Sequence, residues 1–284
     1  MRKNHNWTDA DLTFLIANYP TQGGHFCAEK LNKNYLNTKG KANSMGLRVF
    51  VKKPNTQKLL EDDPISLYWI GFLLADGNFI INREKKSSYL RLRLSVKDMD
   101  HVVKFKNFIE SDKNIKIEIG GSSNRFCLDS KIANFTFGDK QLIKVCEKFQ
   151  INNNKTKFPP SLDVFKILTQ NQLMCLLIGF IDGDGTIFYK ENNPKELPRL
   201  RIKNHISWKD FLCFAADTIM NFPDIRKATI RENKQGYIEL NIANLGLLQK
   251  LKSTAIENKL PIMERKWEII DLNRRLKLIS PSKN

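Results

Sequence analysis

GFIDGDGTIF, residues 179–188, is an apolar run that opens with glycine and leads into the acid-glycine pair Asp184-Gly185. An earlier stretch, GFLLADGNF at residues 71–79, has the same form and leads into Asp76-Gly77. The two acids lie 108 positions apart, and the glycines that open the two runs have the same offset. One chain therefore carries two copies of a motif, and the fold has to account for both.

The repeat continues beyond the motif. At the offset of 108, Arg91-Leu92-Arg93-Leu94 aligns with Arg199-Leu200-Arg201-Ile202, and later Ile132-Ala133-Asn134 matches Ile242-Ala243-Asn244 at an offset of 110. Repeats that stack into solenoids need three or more units. Two copies instead predict two halves related by a pseudo-twofold axis.

Each half has the same predicted order of elements. A helix begins at Asp63-Pro64 in the first copy and at Thr169 in the second, both with N-cap signals, and ends at the glycine of the motif. Period-two alternation then indicates two strands, followed by a helix, two more strands and a third helix. We therefore expect an α+β fold, a pseudo-twofold pair of αββαββα units with two antiparallel sheets, plus a small all-α N-terminal domain. The expected boundaries are residues 1–50 for that domain, 51–63 for a linker, 64–160 for the first half and 161–284 for the second.

Small residues recur four apart on the two motif helices, at Gly71 and Ala75 and at Gly179 and Gly183. That spacing puts both small residues on one helix face, while bulky apolar residues occupy the other sides, as in a buried helix. We expect the two helices to pack small face against small face at the centre of the molecule.

This packing brings Asp76 and Asp184 together at the last turns of their helices. Carboxylates are disfavoured at that end of the helix dipole, and two like charges in proximity repel. A divalent cation between them reverses the sign of the interaction, and Mg²⁺ prefers carboxylate and phosphate oxygens. The four histidines and five cysteines have no metal-ligand spacing. The sequence therefore predicts a metal site made of oxygen ligands.

The composition indicates a polyanionic partner. The chain of 284 residues has a net charge of +17 and a pI of about 9.6, and an excess this large favours nucleic acid. The N-terminus lacks the apolar stretch of a secretory signal, and the longest apolar run, residues 173–181, is far too short to span a membrane. Scattered, odd-numbered cysteines favour free thiols. We therefore expect an intracellular protein with no membrane partner.

Trp69–Gly77 and Leu177–Gly185 resemble the paired motifs of the single-chain LAGLIDADG homing endonucleases. The resemblance extends over about residues 64–284. The second copy is close to the family pattern, whereas the first has Leu74 where the family name has its first Asp. Both copies keep the later acid, which binds metal in the family.

The resemblance implies a site-specific double-strand DNA endonuclease that works as a monomer with divalent metal at a long recognition site. Mg²⁺ is the expected cofactor, and Mn²⁺ or Ca²⁺ are expected to substitute for it in binding. Each half serves one strand and adds a lysine near the site; Lys155 and Lys266 follow the last helices of the halves, and Lys157 competes with Lys155. The implied catalytic residues are Asp76, Asp184, Lys155 and Lys266, and the implied metal-binding residues are Asp76, Asp184, Ala75 and Gly183.

The alternating strands supply candidate DNA contacts. In YLRLRLSV (89–96) and RLRIKNHI (199–206), apolar residues occupy one face and cationic residues the other. Arginine pairs with guanine edges and lysine with phosphates, and the paired sheets of the family form a saddle over the major groove. The candidate DNA-binding residues of the sheets are Arg91, Arg93, Arg199, Arg201 and Lys203.

Three short helices are predicted before the repeat. Thr8 is the expected N-cap of the first, and the other two fit residues 25–31 and 35–45. The apolar face of the first helix comprises Leu12, Leu15, Ile16 and Tyr19. The stretch resembles Myb/SANT-like or homeodomain-like helix-turn-helix modules, and helical packing against the catalytic core is the alternative. The candidate DNA contacts of this domain are Lys39, Lys41 and Asn43.

Two other functions fit the same scaffold. One is a non-cleaving DNA-binding regulator, which the retention of both acids disfavours. The other is a maturase that binds group I intron RNA. Richness in Lys, Asn and Ile indicates an AT-rich genome, so the expected location is a bacterial or phage-infected cytoplasm or an organelle.

Overall fold

The structure is a computed structural model that describes residues 7–50, 52–84, 87–119, 131–189, 197–220 and 228–271. The chain forms two compact units, residues 1–52 and 53–284. No helix within the described ranges combines the length and the apolar character that a bilayer crossing requires.

The first unit is helical in its described part. Helix α1 spans Asp9–Lys30 and is broken at Gly23, whose φ of 79° is not helical; helix α2 spans Tyr35–Ser44. Thr8 caps α1 as expected, because its side chain accepts from the Asp11 amide and its own amide donates to the Asp11 carboxylate. The buried cluster comprises Leu15, Tyr19, Cys27 and Ala42. Ile16, expected on the apolar face, is 56% exposed, so the apolar face is narrower than the spacing suggested.

The second unit contains two copies of one element order. The first copy comprises α3 (Pro64–Asp76), β1 (Gly77–Asn82), β2 (Ser87–Ser95), α4 (Met99–Phe108), β3 (Lys116–Ile119), β4 (Lys131–Gly138) and α5 (Gln141–Lys148). A short helix, α6 (Asp163–Lys166), lies between the copies. The second copy comprises α7 (Gln170–Asp184), β5 (Gly185–Phe188), β6 (Arg199–His205), α8 (Lys209–Met220), β7 (Ala228–Glu232), β8 (Tyr237–Ile242) and α9 (Leu245–Glu257), followed by α10 (Glu264–Asp271).

The strands form two antiparallel sheets, ordered β1-β2-β4-β3 and β5-β6-β8-β7. The predicted α+β class and the doubled αββαββα order are therefore confirmed. The helices α6 and α10 were not predicted from the sequence.

The sheet registers correct the repeat alignment. Gly77 pairs with Leu92, whereas Gly185 pairs with Ile202. The second strands are thus equivalent at an offset of 110, not 108, because the connection between the first two strands is two residues longer in the second half. A shift of two keeps every side chain on its face. The match of residues 132–134 with residues 242–244, also at an offset of 110, does not join equivalent positions. Asn134 lies within β4, while Asn244 caps α9.

The motif helices begin as the sequence predicts. The Asp63 carboxylate accepts from the amides of Ile65 and Ser66 at 2.9 and 3.2 Å. Thr169 and Gln172 form a capping box at the start of α7. These side chains satisfy amides that have no partner within the helix.

The glycines at the helix ends have a different role from the one expected. Gly77 and Gly185 have φ of −72° and −85°, so neither adopts the left-handed conformation of a usual C-terminal cap. A Cβ at these positions would lie 2.6 Å from the Leu73 oxygen and 2.5 Å from the Ile181 oxygen. Glycine is needed because the chain turns directly from helix into strand against the last helical turn.

The segment expected as a linker packs with the second unit from Lys53 onward. Thr56 and Leu59 lie in a short 3₁₀ turn and are buried, and the Thr56 hydroxyl donates to the Asp139 carboxylate at 2.5 Å. Leu59 belongs to the same apolar core as α3 and α7.

Candidate metal and DNA site

Helices α3 and α7 touch along their glycine faces. A Cβ on Gly71 would stand 1.9 Å from the Leu176 oxygen, and one on Gly179 would stand 1.9 Å from the Tyr68 oxygen. Real Cβ atoms do not approach backbone oxygens this closely, so both positions require glycine. The expected packing of small face on small face is observed, with equivalent contacts in the two directions.

The same approach continues to the ends of the two helices. A Cβ on Gly183 would stand 2.2 Å from the Ala75 Cβ, and the next residues are the two acids. Asp76 and Asp184 are both half-buried. Burial raises the pKa of both carboxyls, and for Asp184 the neighbouring Asp76 adds to the effect, so that its pKa is about 6. The structure thus brings the two predicted acids into electrostatic contact.

Lys155 lies at the end of α3. Its ammonium donates to the backbone oxygens of Leu74 and Ala75 at 2.6 and 2.7 Å. Burial lowers the pKa of Lys155, while the negative charges of Asp184 and Asp76 oppose the shift. Lys157, the competing candidate, is exposed.

Lys266 has the equivalent position at the end of α7. Its ammonium donates to the oxygens of Gly185 and Gly183 at 2.9 and 3.2 Å, and also to the oxygen of Asp182. Burial lowers the pKa of Lys266, opposed by Asp182 and then Asp76. Each lysine therefore satisfies carbonyls that have no partner within the helix, and each places a positive charge beside the pair of acids.

The donor set at the helix ends fits a hard divalent cation. Two half-buried carboxylates lie close enough for the charge of Asp76 to raise the pKa of Asp184, and oxygen ligands suit Mg²⁺. The oxygens of Ala75 and Gly183, in the implied metal set, accept hydrogen bonds from Lys155 and Lys266 in this structure. Across the described ranges, no three His, Cys, Asp or Glu side chains are grouped to hold a metal. Water and phosphate oxygens would have to supply the remaining ligands.

Asn204 is a further residue of the site, and it was not predicted from the sequence. Its side-chain amide donates to Asp184 Oδ2 at 2.7 Å. A signal was present, because Asn204 follows Leu200 and Ile202 on the inward face of β6 and interrupts their apolar alternation. A polar side chain at an inward position usually has a buried partner.

Asp182 is the acid of the second motif that the first motif replaces with Leu74. It is 1% exposed and accepts three hydrogen bonds, from the Tyr68 hydroxyl at 2.6 Å, the Trp267 indole at 2.7 Å and the Met263 amide at 3.0 Å. Burial raises the pKa of Asp182, and these donors oppose the rise. Asp182 therefore ties α7 to α3 and to the segment that carries Lys266, which is a structural role.

The outward face of the first sheet carries Arg91 and Arg93, as the alternation predicts. An acid that the sequence analysis did not select also lies there. Glu118 is 3.4 Å from Arg93 and accepts from the Asn134 amide at 2.6 Å. The face is thus a mixed hydrogen-bonding surface and not a purely cationic one.

The second sheet has a similar face, with Arg199, Arg201 and Lys203 directed outward. Arg201 lies 4.8 Å from the ring centre of Phe188, and Lys203 lies 4.7 Å from that of Tyr237. Aromatic rings beside cations keep the charged groups positioned at the surface.

In the first unit, Lys39 and Asn43 are exposed and Lys41 is partly exposed on α2.

Comparisons with known proteins identify the fold. No family model matches the sequence, and no curated protein matches it. The structure is similar to that of the I-LtrWI LAGLIDADG homing endonuclease bound to target DNA, with a TM-score of 0.50 and 15% identity over 78% of this chain and 92% of that one. It is also similar to the LAGLIDADG homing endonuclease I-GzeII in complex with a DNA target, with a TM-score of 0.50 and 12% identity over 76% of this chain and 91% of that one. The chain therefore has the fold of the LAGLIDADG homing endonucleases.

Proposed function

We propose that the protein is a site-specific, divalent-metal-dependent double-strand DNA endonuclease. One observation carries the proposal: Asp76 and Asp184 meet half-buried at the ends of two helices that touch through Gly71 and Gly179. An acid pair in this position costs stability unless a cation binds. The proteins with the same fold are described as homing endonucleases bound to target DNA, which supports the same activity here.

In this proposal, Asp76 and Asp184 would hold Mg²⁺. The backbone oxygens of Ala75 and Gly183 would join them as ligands once the cation displaces the lysine ammonium groups that they now accept from. The bound metal supplies charge stabilisation and a more acidic water. Lys155 and Lys266 keep a positive charge near the phosphate, where negative charge builds up during hydrolysis. Burial at the helix ends excludes part of the solvent and strengthens these interactions.

The two outward sheet faces are the proposed DNA-binding surface. Arginine at Arg91, Arg93 and Arg201 suits guanine edges, and lysine at Lys203 suits phosphates. The net charge of +17 supports tight, salt-dependent binding.

Further features belong to the same proposal. A single chain holds both halves, so we propose that a monomer is the active form, with Mg²⁺ as the natural cofactor and an intracellular location. We propose the helices of residues 7–50 as a helix-turn-helix DNA-binding domain with contacts from Lys39, Lys41 and Asn43.

A non-cleaving regulator or an intron RNA maturase is not favoured, because neither uses the costly pair of acids.

The test is cleavage of a plasmid library that carries randomised inserts. We expect Mg²⁺ to give linear products whose sequenced ends converge on one motif, and EDTA to prevent the cut. Random ends, or no cut in any divalent metal, would contradict the proposal. Binding of intron RNA with higher affinity than of the selected duplex would favour the maturase.

A further inference from the structure

The two acids of the site have unequal neighbours. Asp184 Oδ2 accepts a hydrogen bond from Asn204 Nδ2 at 2.7 Å. In the part of the chain that the structure describes, the Asp76 carboxylate accepts no hydrogen bond, and only burial and nearby charges act on its pKa. The pseudo-twofold relation between the halves is therefore broken at the catalytic acids.

The register of the sheets identifies the cause. Gly77, directly after Asp76, pairs with Leu92, and Gly185, directly after Asp184, pairs with Ile202. Two residues further along each second strand, on the same face, stand Leu94 and Asn204. Leu94 is 8% exposed and has no side-chain donor. The first half thus has an apolar side chain where the second has an amide.

The Asn204 amide is itself held in place. Its Oδ1 accepts from the His205 backbone amide at 2.8 Å, which leaves Nδ2 directed at Asp184. Among the described residues, Asn204 is the one hydrogen-bond donor to Asp184, and it occupies Oδ2 and not Oδ1. One carboxylate oxygen is therefore occupied and oriented, and the other remains for a cation.

We propose that Asn204 is a positioning residue that orients Asp184 for metal, and that Leu94 leaves Asp76 without this support. The second half, which supplies Asp184, then binds metal more tightly than the first half, which supplies Asp76. The second half also cuts its DNA strand faster. Partners that orient metal-binding carboxylates change metal affinity or activity by about 10- to 100-fold. The inference on cleavage rests on the proposed nuclease function, whereas the inference on metal affinity does not.

The metal affinity of each half is measured without DNA by Mn²⁺ titration and electron paramagnetic resonance. Asp76→Asn keeps the acid of the second half, and Asp184→Asn keeps that of the first. We expect Asp76→Asn to bind Mn²⁺ more tightly than Asp184→Asn. Adding Asn204→Leu to Asp76→Asn is expected to lower its Mn²⁺ affinity about tenfold. Adding Leu94→Asn to Asp184→Asn is expected to strengthen binding. Asn241→Leu, on the outward face of the same sheet, is the matched control and leaves the affinity unchanged.

The cleavage rates are measured separately for the two strands on a selected duplex with one label on each strand. In the full-length protein, Asn204→Leu is expected to slow one strand about tenfold and the other less than twofold. The slowed strand is the one that the wild type cuts first, and Leu94→Asn accelerates the other strand.

Equal slowing of both strands by Asn204→Leu would show a merely structural role and overturn the inference. Equal Mn²⁺ affinities in the two single-acid variants, unaffected by the second substitutions, would also overturn it. A wild type that binds Mn²⁺ unequally but cuts no DNA would instead contradict the proposed nuclease function alone.

Discussion

The backbone of Gly71 faces the carbonyl of Leu176 so closely that a methyl group on the glycine would stand 1.9 Å from that oxygen. The reciprocal contact, from Gly179 to Tyr68, has the same spacing. This pair of contacts fixes how near the two helices run, and so fixes the separation of the acids at their ends. The stability of the second unit and the geometry of the proposed metal site therefore depend on the same two glycines.

Gly71→Ala is expected to destabilise the second unit by on the order of 3 kcal/mol or more, because the helices must separate to admit the methyl group. Gly246→Ala is the matched control in the same unit, since its nearest atom would be Asn244 Oδ1 at 3.4 Å. Urea unfolding measures both changes. Similar stability of the two variants would contradict the close packing.

The acid pair predicts a pH-dependent stability in the absence of metal. The pKa of Asp184 is raised from 3.8 to about 6 in the folded state, so folding favours its protonated form. The contribution of Asp184 to stability is therefore highest at a pH below its pKa in the unfolded chain, and it is lost as the pH rises through 6. The loss is on the order of 1–2 kcal/mol at this half-buried site after solvent screening.

Thermal unfolding in EDTA between pH 4 and pH 8 measures the effect, with Asp184→Asn as the comparison. The variant is expected to lose less stability than the wild type as the pH rises. Mg²⁺ is expected to restore the wild type at pH 7 by binding the native state. Parallel pH profiles for the two proteins would refute the assignment of the raised pKa.

The buried carboxylate of Asp182 predicts a purely structural effect. Tyr68→Phe removes one of three donors to a buried carboxyl group, so we expect a loss of about 2 kcal/mol in unfolding free energy. Tyr89→Phe, at a tyrosine that is 49% exposed, serves as the control and is expected to change stability little. The prediction fails if the two hydroxyls prove equally dispensable.

The lysines at the helix ends are expected to act on cleavage more than on DNA binding. Lys155→Met and Lys266→Met each remove a charge beside the acids, and we expect a rate loss of about 100-fold with little change in DNA affinity. Lys157→Met, at an exposed position, is the control. An equal rate loss for Lys157→Met would show that the effect comes from overall charge.

Much of this architecture is readable from the sequence, because the signals are local. Glycine spacing, N-caps and period-two alternation each report on neighbouring residues, and together they indicated the two helices, the sheets and the meeting of Asp76 with Asp184. The strand register depends on the length of the connection between strands, which an alignment of short matches does not reveal. The alignment therefore placed β6 two residues out of register with β2.

Side-chain partners across the fold were harder to predict. The donors to Asp182 come from Tyr68 and Trp267, 114 and 85 positions away along the chain, and no local pattern links them. Asn204 was detectable as a polar residue on an inward face, but only the fold shows that it faces Asp184. Glu118 and Glu239 likewise lie on outward sheet faces that the alternation described only as cationic.

The most direct test of the account is strand scission by the variant that carries both Asp76→Asn and Asp184→Asn, on a duplex selected for binding in Ca²⁺. We predict that this variant stays folded and binds the duplex, yet gives no cleavage of either strand in Mg²⁺. Cleavage at the wild-type rate with the same dependence on Mg²⁺ would contradict the assignment of the two acids as the metal-binding centre.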